Sequence, residues 1–99
     1  MRLIKTALFA PGVNAKVMSK AMTSKVDAVI LDLEDSVPLA SKQQAREMVR
    51  EVITAAASTI NHPDQPDIMV RTNAMDTGLL EDDIRGVTVP GLDMLLIAK

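Results

Sequence analysis

The stretch VDAVILDLEDSVPLASKQQARE, Val26 to Glu47, decides how this chain is to be read. Ile30, Leu31 and Leu33 are residues built for burial, yet among and directly after them come Asp32, Glu34 and Asp35. A buried carboxylate costs free energy unless a cation, a metal or several hydrogen-bond donors surround it. On a strand, alternation puts Ile30, Asp32 and Glu34 on one face and Leu31 and Leu33 on the other, with the acids gathered at the C-terminal end. Two readings follow: the acids cap the next helix or pair with Lys42 or Arg46, or they form the rim of a site.

Outward from this stretch, the pattern alternates between short apolar runs and helical spacing. KTALFAPG (Lys5–Gly12) reads as a buried strand ended by Pro11-Gly12, and Asn14 is a fitting N-cap for a helix with Val17, Met18, Ala21 and Met22 on one face. Ser41 with Gln44 three residues on has the form of a capping box, and opens a helix whose Ala45, Met48, Val49, Val52, Ile53 and Ala56 recur at helical spacing. A polar connection, NHPDQPD, leads to a third strand, IMVRTN (Ile68–Asn73). There Met69, Arg71 and Asn73 are expected on one face, again with the polar residues last. A helix over roughly Gly78–Gly86 carries Leu80, Ile84 and Val87, and MLLIAK (Met94–Lys99) is a fourth strand. Strands joined through helices predict a parallel α/β sheet with right-handed crossovers. Its fourth strand is expected to leave a bare edge.

Composition narrows the function classes. The chain has 99 residues, 47% of them hydrophobic and 24% charged, with a net charge of −2, which suits one small globular domain and not a polybasic nucleic-acid binder. It contains no Cys, so disulfides and thiolate metal sites are excluded and a cytoplasmic location is the expectation. Arg2 and Lys5 before TALFA imitate the start of a signal peptide, but Pro11, Gly12 and Asn14 break the run well short of the ~20 residues that span a bilayer. No membrane and no nucleic-acid partner is expected.

Several separated motifs occur in one order: LFAPG, ILDLEDSVP followed by Lys42 and Ala45-Arg46, VRTN, TGLLEDD and PGLD. In this order they resemble the N-terminal part of the citrate lyase β-subunit and related acyl-CoA lyases of the HpcH/HpaI aldolase superfamily. The resemblance implies that residues 1–99 make the first half of a (β/α)₈ barrel, three strand-helix units and a fourth strand, with the C-terminal half absent. Barrels of this type need ~250 residues and carry their chemistry at the C-terminal ends of the strands.

The resemblance further implies Mg²⁺-dependent cleavage of a carbon–carbon bond in a 3-hydroxyacyl thioester, borne by CoA or an acyl carrier protein, through an acetyl-thioester enolate. Arg71 would be the catalytic residue, binding substrate oxygen and stabilising enolate charge. Lys16 and Asn73 would join it in substrate binding. Glu34, Asp35 and Asp32 would stand behind the Mg²⁺ site without ligating the ion, since the family's direct ligands belong to later strands. Thr72, Ala98, Lys5 and Lys16 depart from the usual family residues. Lys in place of Arg loses the guanidinium fork.

The remaining polar features have plainer readings. His62 is expected to be solvated, the Met residues to be packing, and Glu81, Asp82 and Asp83 to form a solvated helix start. Two alternatives stand beside the lyase reading. One is a phosphorelay receiver-like module, whose phosphoacceptor strand and Lys strand DAVILDLEDSVP and LLIAK imitate. The other is a non-catalytic remnant that acts only by self-association. Unpaired strand edges and an uncovered apolar face predict a homo-oligomer.

Overall fold

The computed structural model describes residues 4–58 and 65–99; His62 lies outside the described residues. Four strands and three helices alternate as β1 (Ala7–Pro11), α1 (Ala15–Met22), β2 (Ala28–Asp32), α2 (Lys42–Ala57), β3 (Asp67–Thr72), α3 (Leu80–Val87) and β4 (Met94–Ile97). The strands are all parallel and lie in the order β1-β2-β3-β4.

Strand pleating divides the sheet into two unlike faces. Ala10, Val29, Leu31, Ile68 and Val70 point to the side where Met18 and Ala21 of α1, Ala45, Val49 and Ile53 of α2, and Val87 of α3 close over them. The other face carries Ala28, Ile30, Met69 and Leu96, and no helical residue joins that cluster. Every helix therefore covers the same side of the sheet. Sequential strand order with one-sided helices is the winding of a barrel wall. A receiver-like module is doubly wound, with its second strand outside its first and helices on both faces. The observed order rejects that alternative.

Local chemistry explains most element boundaries and corrects three expectations. Asn14 caps α1 as expected, its Oδ1 accepting from the Val17 amide at 3.0 Å. The capping box at Ser41 does not form. A 3₁₀ turn over Leu39–Ser41 precedes α2, and the Ser41 side chain makes no capping bond. The Lys42 amide instead donates to the Leu39 carbonyl, so the helix start is satisfied by backbone. The second strand ends at Asp32 rather than running on to Glu34, because the Asp32 carboxylate captures the amides of Glu34 and Ser36, both at 3.0 Å, and folds the chain into a turn. The third strand likewise stops at Thr72, one residue before Asn73.

Gly12 shows how closely the strand ends are packed. Its amide donates to the Asp32 carbonyl at 2.8 Å, and a Cβ at this position would lie 2.6 Å from that same oxygen. Only glycine lets the chain leave β1 here. Among the described residues, no helix is long and apolar enough to cross a membrane.

Candidate active site

At the C-terminal ends of β2 and β3, register places Asp32 directly beside Arg71. Both point to the face that no helix covers. Arg71 Nε donates to Asp32 Oδ1 at 2.8 Å, and the other carboxylate oxygen accepts from the Ser36 hydroxyl at 2.6 Å and the Ser36 amide at 3.0 Å. Glu34 Oε1 lies 3.7 Å from Arg71 Nε and Asp35 Oδ2 lies 3.7 Å from Nη2. Three acids thus gather around one guanidinium.

The cluster's electrostatics follow from this geometry. Burial works against charge on Asp32, but the hydrogen bonds from Arg71, from Ser36 and from the Glu34 amide outweigh it and hold the carboxyl well below the usual carboxylate range. The hydrogen bond to Asp32, reinforced by the charges of Asp32, Glu34 and Asp35, raises the Arg71 pKa further. Both groups stay ionised throughout the physiological range. The Asp32 side chain is only 4% exposed, whereas Arg71 keeps 28% of its side chain open. The arginine is anchored at one atom and presented by the rest.

Asn73 is not beside Arg71. It lies past the end of β3, and its side chain turns to the helical side of the sheet, where Nδ2 donates to Asp83 Oδ2 at 2.8 Å and to the Leu33 carbonyl at 3.1 Å. Its amide also donates to Asp83 Oδ2, at 2.7 Å. The expected common face of Met69, Arg71 and Asn73 fails at its last member because strand alternation ends where the strand ends.

Asp83 corrects a second expectation. It is not part of a solvated helix start but fully buried, paired with Arg46 Nε at 2.7 Å. A signal was present in the sequence: Leu80, Asp83, Ile84 and Val87 follow helical spacing, so an acid sits on the apolar stripe and requires a buried partner. Lys42, read as a possible partner of the acids, donates instead to the carbonyls of Leu33 and Glu34, both at 2.7 Å. With Leu33 N donating to the Arg71 carbonyl at 2.9 Å, these bonds tie the ends of β2 and β3 together from behind.

Lys16 occupies the first turn of α1, exposed, and makes no contact with the Arg71 cluster. The implied Mg²⁺ finds no centre in these residues alone. Among the described residues, no three His, Cys, Asp or Glu converge as a metal site, and both oxygens of Asp32 are already committed to Arg71, Ser36 and the turn amides. The described residues do not fit a metal centre of their own.

Known proteins resemble this chain in sequence and fold. The chain is 34% identical to the citrate lyase subunit beta of Leuconostoc mesenteroides subsp. cremoris over 98 residues, which is 99% of this chain and 31% of that protein. It is 33% identical to a (3S)-malyl-CoA thioesterase of Cereibacter sphaeroides, over 96% of this chain and 32% of that protein. Its fold superposes on a citrate lyase beta subunit from M. tuberculosis, solved with oxaloacetate and magnesium, with a TM-score of 0.70 and 28% identity, covering 92% of this chain and 36% of that one. The chain thus spans about a third of the length of the relatives it matches. Its strands are those of a TIM-barrel-like wall. A family model described as HpcH/HpaI aldolase/citrate lyase matches residues 5–99, and the chain belongs to that family.

Proposed function

We propose that residues 1–99 form the N-terminal half of a (β/α)₈ barrel and supply one side of the active site of a carbon–carbon lyase for 3-hydroxyacyl thioesters. Citryl-, citramalyl- or malyl-thioesters are the substrates, cleaved to an acetyl thioester and an oxo acid, with CoA or an acyl carrier protein as the acyl carrier. The observation that carries this reading is the position of Arg71: at the C-terminal end of a parallel strand, on the uncovered face, locked at Nε by Asp32. The relatives' names support the substrate class, and the magnesium and oxaloacetate of the solved neighbour support a metal-assisted reaction of an oxo acid.

In this reading Arg71 binds a substrate oxygen and stabilises the negative charge that develops on it, a preorganised donor whose direction is set before substrate arrives. Asp32 serves Arg71 rather than substrate. Glu34 and Asp35 stand beside the metal region without being ligands, and further strands of the barrel provide the direct ligands. Lys16, at the start of the helix that follows β1, meets the carrier's anionic groups from the side. The protein works in the cytoplasm as a homo-oligomer, and its open sheet face and outer strand edges are covered in the assembled barrel.

The test is a pair of assays. The 99 residues alone, mass-verified, are expected to show no turnover with any of the three thioesters, with or without Mg²⁺. In the complete protein that carries the remaining strands, Arg71→Lys keeps the charge but loses the fork, and kcat falls on the order of a hundredfold while KM changes less. Normal turnover in a Lys variant of lowered thermal stability rejects the role given to Arg71.

A further inference from the structure

Phe9 is the one Phe, Tyr or Trp of the chain, and it is 52% exposed on the sheet face that no helix covers. Register sets Phe9 beside Ile30, one pleat below the Pro11–Asp32–Arg71 row, so its ring can reach diagonally across β2 toward Arg71. The Arg71 Cζ lies over that ring, 5.1 Å from its centroid. This is within the range of a cation–π contact, in which the negative face of the ring attracts the guanidinium.

From this geometry we infer that Phe9 is a positioning residue for Arg71, its ring face holding the guanidinium carbon while Asp32 holds Nε. The two restraints are complementary. The hydrogen bond from Nε to Asp32 lies in the guanidinium plane and leaves the group free to tilt about the donor–acceptor line. The attraction between the ring and Cζ opposes that tilt. Neither Glu34 nor Asp35 can do so, since each stands 3.7 Å away, beyond a directed hydrogen bond. Arg71 is thus restrained at two points, at Nε by Asp32 and at Cζ by Phe9. The consequence for catalysis rests on the function proposed above; the positioning itself does not.

The experiment is NMR on the 99-residue chain, with selectively labelled Phe and with the Arg71 Nε–H signal assigned by its loss in Arg71→Lys. The wild-type chain is expected to show an NOE from the Phe9 ring to the Arg71 δ protons and an upfield ring-current shift of the Arg71 side chain. Phe9→Leu, which keeps bulk but has no ring, should abolish the shift and speed solvent exchange of the Arg71 Nε–H by about two- to fivefold, the weight of an exposed cation–π contact. Phe9→Tyr should retain both signatures. A mere packing role for Phe9 predicts instead that Phe9→Leu leaves the exchange rate of the Arg71 Nε–H unchanged even though the ring-current shift is lost, and that result overturns the inference. Should Phe9→Leu fail to fold, Phe9→Met gives the same comparison of Nε–H exchange, and absence of the wild-type NOE decides against the inference. These signals are read without turnover. A failed lyase reading, registered by Arg71→Lys in the assay above, therefore leaves the positioning standing, while a missing NOE removes it even where turnover is intact.

Discussion

Two arginine–aspartate pairs stand on opposite sides of the same sheet with nearly equal geometry and different surroundings. Arg46 meets Asp83 at 2.7 Å with side chains 7% and 1% exposed, and Arg71 meets Asp32 at 2.8 Å with side chains 28% and 4% exposed. The first is enclosed between α2, α3 and the end of β3, and its aspartate also accepts from the backbone amide and Nδ2 of Asn73. The second lies on the uncovered face, where its aspartate is saturated and its arginine is not. Equal distances thus serve unlike purposes. A closed pair fastens helices to strand ends, whereas a pair with one open member presents a fixed charge outward.

The largest effect is expected for the enclosed pair. Asp83→Asn or Arg46→Met leaves an uncompensated buried charge and should destabilise the chain by about 3–5 kcal/mol, read as a lower urea midpoint with the slope unchanged. Combining Arg46→Met with Asp83→Asn should recover part of that loss, because no charge is stranded and the side-chain amide oxygen at position 83 still accepts from Asn73. A single Arg46 variant as stable as wild type would remove the distinction between the two pairs.

Arg71→Met comes next. Asp32 keeps its bonds from Ser36 and the Glu34 amide, and the arginine is partly solvated, so the expected loss is about 1–2 kcal/mol by the same measurement. A loss as large as that of Asp83→Asn would make Arg71 a structural residue.

Acid sharpens the contrast further. The folded pKa of Asp32 lies below its unfolded value of about 3.9, so its charge stabilises the fold above that value, and this contribution disappears as pH falls toward the folded pKa. Asp32→Asn should therefore be less stable than wild type at pH 7, and the gap should narrow steadily below about pH 4. A gap that stays constant down to pH 2 contradicts the charge-based account. The smallest effect belongs to an exposed pair on the same helix as Asp83: Arg85 and Glu81, with both side chains 73% exposed, should lose at most about 0.5 kcal/mol on Glu81→Gln.

Element types and order were legible in the sequence because they depend on local periodicity. Leu80, Ile84 and Val87 recur as a helix requires, and Ile68 to Val70 form the apolar run of a parallel strand. That the acids after β2 and Arg71 of β3 come to one rim was legible too, since parallel strands bring their C-terminal ends to one edge, but which acid holds Arg71 was not. Motif order by itself makes the family recognisable.

What the chain's own pattern did not determine lies where elements end and where distant residues meet. Alternation carried Asn73 to the Arg71 face, but the strand stops at Thr72 and the turn sends its side chain to Asp83. The Ser41 capping box gave way to a 3₁₀ turn whose backbone bonds serve the Ser41 and Lys42 amides. Arg46 and Asp83 are 37 positions apart, and only the packing of α2 against α3 brings them within hydrogen-bonding distance. Periodicity is a property of neighbours along the chain, so residues alone could determine which faces are apolar. Which buried charge meets which partner depends on how the helices close over the sheet, and that was decided by tertiary structure.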